Sequence, residues 1–280
     1  MTDLLTSYAS GGAGHDEMLQ STGAARGAWD QLASLVGMRS WDEVSARRDD
    51  VVQLLEDHGV QYGGEGSDEP WRLDPLPVLL DESEWHTIEA GLAQRSELLD
   101  EILTDAYGPR RLLSSGVLPP EVILGHPGFL RAADGVTLPG AHQLFLAAAD
   151  VARNAAGQWQ VLADRTQAPS GMGYAMEDRR VLAQVLAGLY RKARIHRIGP
   201  FFHAMRLALL DAAPPAAGDT PRIALLTPGP YSETAFDQAY LSAMLGFPLV
   251  EGGDLVVESG RLWMRSMDPV SYTHLRAHET

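Results

Sequence analysis

Apolar positions recur at helical spacing in some stretches of the chain and alternate at strand spacing in others. Ser40 and Glu43 have the spacing of a capping box, in which each side chain satisfies the other's free backbone N–H. They predict a helix starting at Ser40 and stopping near Gly59, a natural C-terminal cap. Asp81 and Glu84 repeat the pattern. Behind them Trp85, Ile88, Leu92, Leu99 and Ile102 fall near one face, and Gly108-Pro109 ends the segment. Glu89, Gln94, Arg95, Glu97 and Asp100 lie mostly on other faces, so this reads as a core-packing helix and not a membrane-binding one. Residues 63–70 (GGEGSDEP) form a turn-rich acidic loop between the two.

From Pro119 the pattern changes. Val122-Ile123-Leu124 and residues 144–151 read as short strands. Asn154 to Gly157 supply turn chemistry, and residues 158–162 continue with Trp159 and Val161 alternating against polar neighbours. An antiparallel pair is therefore expected, followed by a polar loop over 164–173 and helices near 174–189 and 200–212. Residues 213–221 (APPAAGDTP) are the best candidate boundary. After them come a strand (222–227), a Pro-Gly-Pro turn, a helix (232–245), a strand (248–251) and a hairpin turning at Ser259-Gly260. Strand, tight turn and helix open a doubly wound α/β unit. The stretch VSYTHLRAHET near the end resembles translated adapter sequence, so residues 269–280 are set apart from the fold. A doubly wound unit that stops after one helix and a hairpin has too few strands to form a layer, which predicts a chain cut within a domain.

Charge narrows the functions. Acidic residues outnumber basic ones 37 to 22, for a net charge of −15, which disfavours binding to phosphate backbones in general and leaves room only for a local basic patch. Lys192 is the only lysine, so Schiff-base chemistry has no other home. The absence of cysteine excludes disulfides, thiolate nucleophiles and Cys-ligated zinc. No apolar run approaches the ~20 residues that cross a bilayer, and the N-terminus is not a signal peptide. A cytoplasmic protein is expected, with neither nucleic acid nor membrane as partner.

Candidate chemistry gathers between Asp150 and Arg179. Asp150 ends one predicted strand and Asp164 the next; if the strands pair, both carboxylates reach one edge and suit Mg²⁺, a hard cation that takes oxygen ligands. The alternative is that both are solvated strand ends. Ser170, Gly171 and Gly173 lie in a loop whose backbone N–H groups precede a helix, a possible anion cradle, with Arg165, Arg179 and Arg180 close in sequence. Weaker candidates are the strand-to-helix turn 227–232 for a substrate carboxylate, and His196 with His203, which lack a third metal ligand. Ser170 lacks the setting of a nucleophile elbow, and Met172 and Met176 read as gap-fillers.

The run from Trp159 to Tyr174 (WQVLADRTQAPSGMGY), followed by Glu177-Asp178-Arg179, resembles the signature of circularly permuted type 2 ATP-grasp proteins. Asp74-Pro-Leu-Pro77, Glu84-Trp85, Gly91 to Arg95, Asp105 to Arg110, Gly116 to Pro119, Leu226 to Pro230 and Leu249 to Leu255 agree in order, and His15 to Met18 resembles the opening motif, with His15 where a tyrosine is more usual. The resemblance implies an α/β fold: an α+β ATP-grasp-like portion over 1–212, then the start of a Rossmann-like pre-ATP-grasp unit over 213–268. It implies ATP and Mg²⁺, and a ligase that activates a carboxylate as an acyl phosphate for attack by an amine. Small-molecule or peptide acids and amines would be substrates, and alpha-E domain and transglutaminase-like proteins possible partners. By the same resemblance Asp150 matches the acidic metal-site position on the first strand; together with Asp164, taken from the spacing, it would face Mg²⁺, while Arg165, Arg179 and the Ser170–Gly173 backbone would face phosphate. The family commonly ends its second strand in Glu-x-Asn, where this chain has Ala163 and Arg165. That departure keeps open a second reading, a non-catalytic binding or scaffold subunit.

Overall fold

The structure, a computed structural model, describes residues 7–8, 14–36, 40–63, 66, 69–138, 140–213, 221–265 and 272–275. Among the described elements the helices α1 (Gly27–Val36), α2 (Trp41–Asp57), α3 (Glu82–Ala106), α4 (Arg111–Ser114) and α5 (Pro120–Leu124) precede the first strand. Both predicted helix starts hold. Ser40 accepts the N–H of Glu43 at 3.3 Å, and Asp81 and Glu84 close a reciprocal capping box. The triplet Val122 to Leu124 is helical, not extended, because Pro120 sets a helical φ at the first turn and Gly125 N–H closes back on the Glu121 carbonyl. An apolar triplet alone does not distinguish the two states.

An antiparallel hairpin follows, β1 (Ala148–Arg153) and β2 (Trp159–Arg165), with a register irregularity between Asp150 and Val151. The ladder begins later than predicted because Asp100 on α3 accepts the N–H groups of Gln143 (2.7 Å) and Leu144 (2.6 Å), which takes them out of any sheet. Arg153 ties this hairpin to the rest. Its side chain, only 9% exposed, lies 2.7 Å from Glu17, 2.8 Å from Glu84 and over the Trp159 ring.

Next come α6 (Met172–Val185), α7 (Ala187–Lys192) and α8 (Gly199–Asp211). The single helix expected over 174–189 is thus broken at Leu186. The main core joins α1 and α2 to α6 and α7 through Trp29, Leu32, Val51, Leu55, Val181 and Leu189. Val51 and Val181 are fully buried, and each such side chain contributes about 1.5–3 kcal/mol of burial free energy.

Strand β3 (Leu225–Thr227), helix α9 (Ala235–Leu245) and strand β4 (Leu249–Glu251) form a β-α-β crossover in which β3 and β4 are parallel, as a doubly wound opening requires. Helix α9 packs on α6 and α8, and Phe202, Leu241, Leu245 and Phe247 form a second core. The hairpin β5 (Leu255–Glu258) and β6 (Arg261–Arg265) turns at Ser259-Gly260 as expected. Residues 272–275, within the stretch set apart in the sequence, pair with β6 as strand β7 (Tyr272–Leu275); the rest of 269–280 lies outside the described residues, as does most of the 213–221 boundary. Among the described residues no helix is long and apolar enough to cross a membrane.

Candidate functional site

The hairpin delivers Asp150 and Asp164, but not to one rim. Asp164 stands opposite Ala149, and Asp150 opposite Ala163. Cross-strand partners share a face and consecutive residues alternate, so the two carboxylates point to opposite faces of the ribbon. Each also has its own cation. Arg95 on α3 grips Asp164 through two parallel hydrogen bonds of 2.6 Å, and this guanidinium holds the Asp164 carboxyl below its ordinary range. Arg165 bonds Asp150 at 2.8 Å on the other face. The expected shared Mg²⁺ site is therefore not formed by these residues, and among the described residues no group of three potential ligands clusters elsewhere. Arg165 is thus the partner of Asp150 in this structure.

The glycine loop leads into α6 as expected, with Gly171 left-handed at φ 113°. Its Gly171 and Gly173 donors, however, are already engaged. Asp237 on α9, 1% exposed, accepts the N–H of Gly171 at 2.9 Å, of Gly173 at 2.6 Å and of Tyr174 at 3.4 Å. An internal carboxylate thus sits where an anionic ligand was expected, satisfying the free donors at the start of α6. Gly173 is required for this contact, since a Cβ there would lie 2.8 Å from the Asp237 carboxylate and 2.9 Å from Tyr240 Cβ. Ser170 is exposed beside the loop.

The first two turns of α6 carry a group of ionisable side chains with partners on other elements. Glu177, 1% exposed, bonds His58 Nδ1 at 2.5 Å and lies 3.4 Å from Arg180. Tyr240 on α9 faces the same carboxylate, and burial together with the negative charge of Glu177 pushes the Tyr240 phenol up. Trp71 Nε1 donates to Asp178 at 2.7 Å and its ring stacks on Tyr174. Burial raises the Asp178 carboxyl, opposed by that hydrogen bond and reinforced by Glu177. Tyr174 is pushed up to about 12 by burial and by Asp237. Arg179 lies over the Tyr190 ring.

On α6 sequence reasoning singled out Gly173, Arg179 and Arg180, not Glu177 or Asp178, and it missed both His58 and Asp237. They sit 119 and about 60 residues away from their partners, and neither belongs to a local pattern. Of the weaker candidates, the turn at 227–232 is held internally: buried Thr227 donates to Gln238 and accepts Gly229 N–H at 3.0 Å. His196 and His203 are exposed, and Met172 and Met176 pack against the second core. A cleft of about 610 Å³ opens between α3 and the hairpin, lined by Ile88, Leu92, Leu98, Val151 and Trp159, away from the glycine loop.

Residues 77–274 match the pattern of the family described as circularly permuted ATP-grasp type 2. The chain is similar to an uncharacterized protein of Mycobacterium tuberculosis, 50% identical over 268 residues, covering 91% of this chain and 30% of the relative. A second uncharacterized protein of that organism is 30% identical over 253 residues (90% and 46%). One of Synechocystis is 31% identical over 257 residues (90% and 53%). The chain spans between about a third and a half of the length of these relatives.

Proposed function

The chain belongs to the circularly permuted ATP-grasp type 2 family, and on that premise we propose that the protein is an ATP-dependent ligase joining a carboxylate to an amine through an acyl phosphate. The observation that carries the reading is the family match across residues 77–274, which contains the whole segment from Trp159 to Arg179. Within that segment the buried Glu177 and the half-buried Asp178 gather on α6, with His58 and Tyr240 against Glu177 and Trp71 against Asp178. Charged groups removed from water and held by fixed partners are the arrangement that stabilises or moves charge during a reaction. No Mg²⁺ ligand is assigned, because Asp150 and Asp164 do not fit one shared ion, and the nucleotide phosphates are not placed on a loop whose donors Asp237 holds. The β3-α9-β4 crossover fits the beginning of a Rossmann-like unit. Phosphate release by the full-length protein that requires ATP, a carboxylate and an amine together tests the reading; release indifferent to acid and amine contradicts it.

A second reading, a binding or scaffold subunit, is favoured by Ala163 and Arg165, and by the Arg165–Asp150 pair that closes off one carboxylate. Turnover by the unaltered full-length protein excludes it. Activity gained only on A163E together with R165N supports it.

A further inference from the structure

We propose that His58 is the base that accepts a proton from the attacking amine, with Glu177 as the residue that positions it; this rests on the ligase reading. Glu177 Oε1 lies 2.5 Å from His58 Nδ1. A carboxylate only accepts, so Nδ1 carries the ring proton and Nε2 keeps the lone pair in the neutral imidazole. Among the described residues Nε2 has no hydrogen-bond partner. Exposure differs sharply across the pair: the Glu177 side chain is 1% exposed and that of His58 19%. The orienting group is thus sealed in the protein while the ring reaches its surface.

The dyad sits between packed helices. His58 caps the C-terminus of α2, Glu177 lies in α6, and these helices meet through the fully buried Val51 and Val181. Arg180 and Tyr240 hold the Glu177 carboxylate from two further sides, on α6 and α9. A buried carboxylate fixing one imidazole nitrogen so that the other takes a proton is a recurring device for general-base catalysis. Amide formation needs such a group. An aliphatic amine is protonated near neutral pH and carries no lone pair until it is deprotonated. In the proposed step the ammonium proton passes to Nε2 and the nitrogen lone pair forms the new bond to the acyl carbon. The bond from that carbon to the phosphate oxygen breaks, and phosphate leaves with its electrons and takes the second proton that the nitrogen sheds in becoming an amide.

Hydroxylamine separates this step from activation, because it is largely unprotonated near neutral pH and attacks an acyl phosphate without a base. The full-length protein is given ATP, Mg²⁺ and a panel of amino-acid and dicarboxylic acids, with hydroxylamine or methylamine as acceptor. H58Q is expected to lower methylamide formation about 100-fold, the scale of general-base catalysis, while hydroxamate formation falls far less. Added imidazole should restore methylamide formation in H58A, and E177Q should weaken the same step. Absence of hydroxamate with the unaltered protein overturns the ligase reading itself. Hydroxamate together with unchanged methylamide formation in H58Q overturns the base assignment alone. Equal loss of both products in H58Q, without imidazole rescue in H58A, makes the dyad a structural staple and also overturns the assignment.

Discussion

Glu177 and Asp237 are kept from water by different partners, and the difference sets what substitution does to each. Asp237 is held by three backbone N–H groups and has no cation among its recorded hydrogen-bond partners, so its contact depends on how closely the chain approaches. Adding one methyl group at Gly173 intrudes on both the carboxylate and Tyr240 Cβ. G173A is expected to destabilise by about 1–3 kcal/mol, measured as a fall in the denaturant midpoint at unchanged slope. An unchanged midpoint would show that the loop yields. Asp178 gives a pH signature. Its folded pKa is raised, mainly by burial, so the native state binds this proton more tightly than the unfolded chain does. Stability from this group is therefore full in acid and declines as pH rises from the ordinary aspartate range, about 3.9, through the folded pKa. D178N keeps an oxygen for Trp71 and cannot ionise, so its melting temperature should gain on that of the unaltered protein as pH rises through that window. A constant difference across the window would contradict the assignment.

At the scale of elements, what was legible followed local rules. The starts of α2 and α3 were readable because capping is a contact over three residues, and the hairpin turns because they need particular residue types in sequence. D81A should cost about 1 kcal/mol, read as a lower thermal midpoint. Equal midpoints for D81A and the unaltered protein would show the cap to be idle. Illegible elements depended on distant partners. The start of β1 is delayed by Asp100, more than forty residues earlier, and the opposite faces of Asp150 and Asp164 follow from a pairing register that neither strand states alone. The glycine loop was recognised as a donor-rich turn. That its donors meet Asp237, and not solvent, is fixed by the packing of α9 on α6.

For the molecule as a whole, the two cores and the Arg153 node bind the N-terminal helices, the hairpin and the β-α-β crossover into a frame around α6. The hairpin remains a two-stranded sheet packed beside one helix, with the apolar cleft along it. Family membership and this frame together support carboxylate activation by ATP, which oxygen tracing tests most directly. The full-length protein is supplied with ATP, an amine and a carboxylic acid labelled with ¹⁸O in its carboxyl group. Activation as an acyl phosphate places one carboxyl oxygen in the bridge to phosphorus, and amine attack releases it with the phosphate. The account predicts one ¹⁸O atom in inorganic phosphate for each amide formed; amide formation accompanied by unlabelled phosphate would contradict it.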